Sequence, residues 1–292
     1  MATSGSAVWP SASEPLWRFN WGLADSPDEE GIVITGAHYR GHKVFHKASL
    51  PSLRVQYDGP CGPYKDPLNY NNAQPTSGCP TTRVCTRSYV SNGLRGLEVQ
   101  SYHTIGYYRL THRWVFWENG RVFPRLYSAG LQCHYNHRHH AYWRFDFDID
   151  DAHSDLLLEY QNDDDTNYGW GRGWQPFRSE ASRTKHAGVG RVWAVIDKSS
   201  TRGYYIQPGP NDGLADGFST RDLWVLRYQA SEDRHGRQGS AHSDDLWPYL
   251  NNEDVDGQDV VVWYAGHLSH MAHAGGDEWH YVGPTLTPFR WI

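Results

Sequence analysis

The chain has 292 residues and a mass of 33.5 kDa, with 27 Lys and Arg against 33 Asp and Glu and a formal charge of -6. That length suits one large or two ordinary domains. The mild acidity gives no electrostatic footprint for nucleic acid, and no apolar run approaches the ~20 residues of a membrane helix. The 14 Trp, 19 Tyr and 9 Phe favour strands over helices, and 29 Gly with 16 Pro supply turns, so the expectation is an all-β chain. Seventeen histidines need an explanation of their own.

Residues 1–16 are small, polar and Pro-containing, and read as a disordered leader. They lack the basic start and apolar stretch of a secretory signal, which points to a cytoplasmic protein. From there the expectation is a single domain, residues 17–292. Residues 31–50 read as two strands around Tyr39-Arg40-Gly41-His42. Residues 58–82 are a long Pro/Gly/Asn loop, of the kind that is functional or disordered. It carries Cys61 and Cys79, with Cys85 just beyond and Cys133 further on. Four cysteines are too few for a disulfide scaffold, and their spacing is not that of a paired CxxC zinc site. One disulfide among Cys61, Cys79 and Cys85, or free thiols, are both open.

Trp114-Val115-Phe116-Trp117 runs into Glu118-Asn119-Gly120, and Asn-Gly between apolar runs is a strong hairpin signal. Residues 139–150 alternate aromatic or apolar residues with charged ones, the period of a half-buried strand. Residues 151–185 read as connecting loops. Four further apolar runs, ending with Val260-Val261-Val262-Trp263, complete what reads as an antiparallel β-sandwich.

Two histidine clusters could carry metal chemistry. His134, His137, His139 and His140 precede the alternating strand, and His267, His270 and His273 follow the Val260–Trp263 run. On an extended segment His137 and His139 share one face, so two imidazoles can hold one ion. Three imidazoles without a thiolate favour copper or zinc.

The order of these motifs resembles the catalytic domain of the copper amine oxidases, from about Gly31 to the C-terminus. His137-Arg138-His139 leading into Arg144-Phe145-Asp146-Phe147-Asp148 is similar to that family's copper-binding H-x-H and its following D-x-D strand. Trp263 and His270 have the spacing of its third ligand, followed by Ala272-His273-Ala274. The closing Val282-Gly283-Pro284-Thr285-Leu286-Thr287-Pro288-Phe289 is similar to its terminal motif. Thr104-Ile105-Gly106-Tyr107-Tyr108 stands in the register of the segment whose tyrosine becomes topaquinone. The resemblance therefore implies copper on His137, His139 and His270, and topaquinone from Tyr108. It also implies oxidation of a primary amine by O2, and a homodimer. It further implies a hard cation such as calcium on Asp146, Asp148, Asp259 and the carbonyls of Phe147 and Val260.

The chain departs from the family pattern around Tyr108. Tyr107 replaces an Asn, and Arg109, expected beside the ring, replaces an acid. Asn69 falls where the catalytic base belongs, and an amide cannot accept the substrate's proton. Asp66 or Asp58 is the substitute. A copper enzyme without the quinone, performing a different oxidation or cyclisation on a small metabolite, is the alternative. A zinc hydrolase using metal-bound water, and a non-catalytic metal-binding domain, remain as further readings.

Overall fold

The computed structural model describes residues 3–23, 29–162, 172–233, 246–272 and 279–291. Its first strands are β1 (Ser4–Pro10), β2 (Pro15–Leu23), β3 (Ile32–Tyr39), β4 (His42–Tyr57), β5 (Tyr64–Lys65), β6 (Ala73–Gln74) and β7 (Val84–Ser91). The middle of the chain supplies β8 (Leu94–Ile105), β9 (Tyr108–Trp117), β10 (Val122–Ala129), β11 (His137–Phe147), β12 (Asp155–Gln161), β13 (Gly173–Pro176) and β14 (Ala181–Arg183). It ends with β15 (Val192–Asp197), β16 (Gly203–Gln207), β17 (Leu223–Arg227), β18 (Val260–His270), β19 (His280–Val282) and β20 (Thr285–Phe289). Among the described residues the only helical turns are three short 3-10 segments, and no helix is long and apolar enough to cross a membrane.

The strands form two antiparallel sheets. The nine-stranded sheet runs β1-β2-β3-β4-β11-β18-β17-β14 with β5 on β4. The eleven-stranded sheet runs β13-β12-β15-β16-β20-β10-β9-β8-β6, with β19 on β10 and β7 on β8. Their inner faces meet in one core, where Trp17, Phe45, Trp114, Phe145, Trp193 and Leu286 are buried. This is the expected β-sandwich.

Three details differ from the sequence expectation. The supposed leader is ordered: β1 pairs with β2 in the register Trp9↔Trp17, and Trp9 Nε1 donates to Ser88 Oγ at 2.8 Å. Residues 151–185 hold β12, β13 and β14 rather than only loops, because Leu156-Leu157-Leu158 pairs with β15. The strand β11 is buried on both faces, not one. It is central in its sheet, and its outer face meets a second apolar cluster of Tyr142, Trp224, Val261, Trp263 and Leu246. There the Trp224 and Trp247 rings lie 4.8 Å apart at 82°.

All four cysteines are paired, so the free-thiol expectation fails; the bridge expected among the first three is Cys79–Cys85, and the structure adds a second, Cys61–Cys133. Cys133 was the partner least visible in sequence, 72 residues from Cys61, but the fold brings the two Cα atoms to 6.5 Å. The bridge ties the 58–63 loop to the segment that leads into His137, and Asp58 N donates to the Asn136 carbonyl at 2.9 Å beside it. A cross-link closing so long a loop mainly restricts the unfolded chain. Replacing Cys61 and Cys133 together by Ser should therefore cost about 2–4 kcal/mol of unfolding free energy, measured by urea denaturation. An unchanged midpoint would show that the loop closure carries no stability.

Candidate metal centre

The site forms where the two sheets face each other at one end of the sandwich. In β11 the odd residues face the core, since Ala141, Trp143, Phe145 and Phe147 belong to it. His137 and His139 share that face by the two-residue repeat. The antiparallel ladder sets His270 of β18 directly opposite His137, and on the other side it sets Tyr57 of β4 opposite His137. The His137 ring lies 5.0 Å from His139, 4.9 Å from His270 and 5.2 Å from Tyr57, centroid to centroid. His140 points the other way. It meets His267, which the ladder sets opposite it, at 2.8 Å between Nδ1 atoms, and His267 Nε2 donates to Asp222 at 2.9 Å. His140 is thereby removed from competition as a ligand. His134 is exposed on the loop before β11, and His273 lies outside the described residues.

The second sheet contributes Tyr108. The β8–β9 hairpin turns through Gly106 and Tyr107, with Gly106 at a φ of 56°, as a two-residue turn with Gly first requires. Gly130 adopts a φ of 94° and packs so close that a Cβ would come within 2.2 Å of the Tyr107 carbonyl oxygen. This turn leaves Tyr107 74% exposed and turns Tyr108 inward, 2% exposed. The Tyr108 ring centroid is 4.8 Å from His139 and 5.3 Å from His137. Its hydroxyl is hydrogen-bonded to that of Tyr57. Arg109, the next residue of the strand, falls on the opposite face, so the expectation that it lies beside the Tyr108 ring is not met.

Burial controls the charges here. It lowers the His137 pKa to about 4 and holds His139 well below its usual value, so both imidazoles are neutral. Burial raises Tyr57 to about 12, and Tyr108 higher still, with the hydrogen bond from Tyr57 adding to the latter. The Asp66 carboxyl, buried beside β5, is pushed up to about 7 by desolvation, and its charge opposes ionisation of both tyrosines. Its Oδ2 has no hydrogen-bond partner among the described residues. Asn69 is engaged differently: its Oδ1 accepts from the backbone of Asn71 at 2.9 Å and of Asn72 at 3.3 Å, capping a turn. Asp58 is exposed and lines a cavity of about 330 Å³ whose wall also includes His137, His270, Asp216 and Phe218. Neither Tyr108 nor Asp66 lines that cavity.

The donor set fits a soft or borderline metal. His137 Nδ1 donates to the Tyr135 carbonyl at 3.3 Å, which fixes the tautomer and leaves a bare, buried Nε2 without a partner among the described residues. His139 Nδ1 is likewise buried without a partner among the described residues, while its Nε2 lies 3.3 Å from Ser128 Oγ. A bare imidazole nitrogen is what an ion would satisfy; His112 and His140 each carry an unpartnered buried nitrogen too, so it is the grouping of His137, His139 and His270 that points to an ion. The imidazoles still stand wider than a closed ligand shell. Among the described residues, the one trio of ligand-type side chains whose donor atoms all fall within 4.8 Å is Asp146, Asp148 and Asp259. That trio lies at the far end of β11 and β18, where Phe147 and Val260 are opposite each other. Burial raises Asp146 to about 7, against the Arg144 guanidinium 3.4 Å away, and the Lys43 ammonium pairs with Asp148.

Two residues of the centre escaped the sequence reading. Tyr57 ends β4, which runs seven residues past the strands expected within 31–50, and only the register sets it opposite His137. His280 comes from β19 and reaches the same space from the second sheet, its ring 4.9 Å from His270. Its signal was absent because β19 is three residues long.

The family described as "Copper amine oxidase, enzyme domain" matches residues 129–277. Histamine oxidase of Arthrobacter globiformis is 29% identical over 134 residues, covering 38% of this chain and 19% of that protein. Among solved structures, a copper-containing benzylamine oxidase from Hansenula polymorpha superposes with a TM-score of 0.75 at 16% identity, over 95% of this chain and 59% of that one. An amine oxidase from Aspergillus nidulans gives a TM-score of 0.73 at 16% identity, over 95% and 52% respectively. The chain thus spans little more than half the length of these structures and about a fifth of the histamine oxidase.

The Tyr57–Tyr108 contact can be isolated by a double-mutant cycle. Tyr57→Phe and Tyr108→Phe should each cost about 1–2 kcal/mol of stability, since either leaves one buried hydroxyl unpaired. The double variant should cost clearly less than the two together, in urea unfolding. Strict additivity would mean the two hydroxyls do not interact.

Proposed function

Because the chain belongs to the copper amine oxidase family, we propose that it is a copper-dependent oxidoreductase acting on a primary amine with O2, with Tyr108 as the precursor of topaquinone. The observation that carries this reading is that His137 and His139 from one sheet meet the Tyr108 ring from the other, with His270 against His137. Copper held by these three imidazoles would supply redox chemistry with O2 beside that ring, and the quinone would supply the carbonyl that an amine attacks.

The chain's own residues have separable tasks. His137 and His139 are kept neutral by burial, so their nitrogens are available without releasing a proton. Tyr57 orients Tyr108 through the hydroxyl–hydroxyl bond. The inner faces of the sheets exclude water from the ring. Asp66 Oδ2 is the proton acceptor of this proposal, in preference to Asn69, whose amide is used in a turn, and Asp58, which is exposed. A carboxyl with a pKa of about 7 is a competent base only above that pH.

A second reading is favoured by one observation: Tyr108 is sealed from the cavity that reaches His137 and His270. In that reading Tyr108 stays a tyrosine, and copper serves another oxidation of a small metabolite.

Two further parts belong to the proposal. A hard cation such as calcium is held by Asp146, Asp148 and Asp259 with the Phe147 and Val260 carbonyls, in competition with the Lys43 ammonium. The protein is a homodimer, supported by the aromatic row of Tyr160, Trp174, Tyr205 and Phe289 along an outer sheet face, with Trp174 40% exposed. The two disulfides favour an oxidising compartment over the cytoplasm suggested by the first residues.

Copper added to metal-free protein in air, followed by phenylhydrazine, tests the main reading. A visible quinone band and a hydrazone adduct, both lost in Tyr108→Phe, are expected. Bound copper without either supports the second reading. With the quinone present, amine turnover should rise through about pH 7 to a plateau, and Asp66→Asn should lower it about 10²–10⁴-fold. A pH profile unchanged in that variant would remove Asp66 as the base. Sedimentation of the same preparation should report twice 33.5 kDa, and a monomer mass would reject the dimer.

For the carboxylate trio, added calcium should raise the melting temperature at pH 8, and more strongly in Lys43→Gln. No shift in either protein would exclude a hard-cation site there.

A further inference from the structure

The second sheet brings a fourth imidazole to the metal centre. β19 pairs with β10 in the register Leu126↔Val282, Tyr127↔Tyr281 and Ser128↔His280. Leu126 and Val282 are both buried in the inter-sheet core, so this face of the pair is the inner one. By the two-residue repeat His280 faces inward with Val282, and Tyr281 faces outward, where its ring meets Tyr127 at 5.2 Å. Ser128, directly opposite His280, lies 3.3 Å from His139 Nε2. His280 therefore enters the space around His139 and His270 from the side opposite to the strands that carry them.

The contacts of His280 agree with that placement. Its ring centroid is 4.9 Å from that of His270 at 57°, the same separation as His137 from His270. Its charge would oppose protonation of His137, so it lies within electrostatic reach of that ring as well. It is half-buried, and no hydrogen bond of its ring nitrogens occurs among the described residues. Its nitrogens are therefore not committed to another described residue, unlike those of His103, which bond Asn72 Oδ1 and Ser101 Oγ at 2.7 Å each.

We propose that His280 is a fourth nitrogen ligand of the metal held by His137, His139 and His270. The inference rests on the reading that these three bind copper. Imidazole is a good copper ligand, and Cu(II) prefers a tetragonal set of four in-plane donors. A His280 nitrogen would bring the number of imidazole donors offered by the protein from three to four. The two sheets would then be clipped together through the ion, because three ligands come from the nine-stranded sheet and one from β19 of the other. A metal held by four protein nitrogens would offer less open coordination to O2 and substrate than one held by three.

Electron paramagnetic resonance of the Cu(II)-loaded protein at fixed pH reads the ligand count directly. The wild type is expected to show nitrogen superhyperfine structure from four imidazoles. His280→Ala and His280→Gln are each expected to lose one nitrogen, shift the parallel g and hyperfine values, and weaken Cu(II) binding at least ~10-fold in a competition titration. His134→Ala, on the exposed loop, should match the wild type. A three-nitrogen wild-type spectrum, or identical spectra and affinity in the His280 variants, overturns the fourth ligand while leaving the three-histidine centre standing. Failure of the wild type to take up copper at all overturns both.

Discussion

The centre depends on the two-residue repeat of β11 being locked in one antiparallel register. Trp143, Phe145 and Phe147 bury their side chains in the core on the same face as His137 and His139. A slip of one residue would turn that whole apolar set and both imidazoles to the other face of the sheet, away from Tyr108. The hydrophobic core thus fixes which way His137 and His139 face. The same register sets Tyr57 on one side of His137 and His270 on the other, so three functional side chains from three strands are placed by one ladder.

Bringing polar groups into an inter-sheet space has a cost, and the chain meets it by keeping them neutral or bonded. Tyr57 and Tyr108 satisfy each other, while His103 is pushed down to about 3 by burial and bonded to Asn72 and Ser101. His112, held at a similar value by burial and then by His103, accepts the Ile32 amide at 3.0 Å. The histidine excess therefore divides by environment. Some imidazoles serve as internal hydrogen-bond partners, as His103, His112 and the outward His140–His267–Asp222 chain do. His137 and His139 stand apart by placement: their rings lie 5.0 Å from each other, with His270 4.9 Å from His137 and the Tyr108 ring against both.

The loops that close the site are held by covalent and conformational means rather than by burial. The Cys61–Cys133 bridge joins the segment before Asp66 to the segment before His137. Gly106 and Gly130 allow the hairpin turn and the close approach that set Tyr108 inward. This arrangement explains how β9 turns Tyr108 inward whatever residues flank it in sequence. Both neighbours fall away from the ring, Tyr107 into solvent at the turn and Arg109 onto the other sheet face.

The sequence by itself determined the all-β class, most strands, the Asn-Gly hairpin and the resemblance that singled out His137, His139, His270 and Tyr108. Those features are local: alternation, turn chemistry and spacing survive in one dimension. It misread β1 as a leader, because the small polar residues of 4–8 become a strand only by pairing with β2. It left open Asp66 against Asn69 and Asp58, and the pairing of the cysteines, because burial and Cα separation are properties of the packed chain. Tyr57 and His280 were invisible for the same reason. Each joins the centre through cross-strand register with residues distant in sequence, and register is decided only when both sheets close on one core.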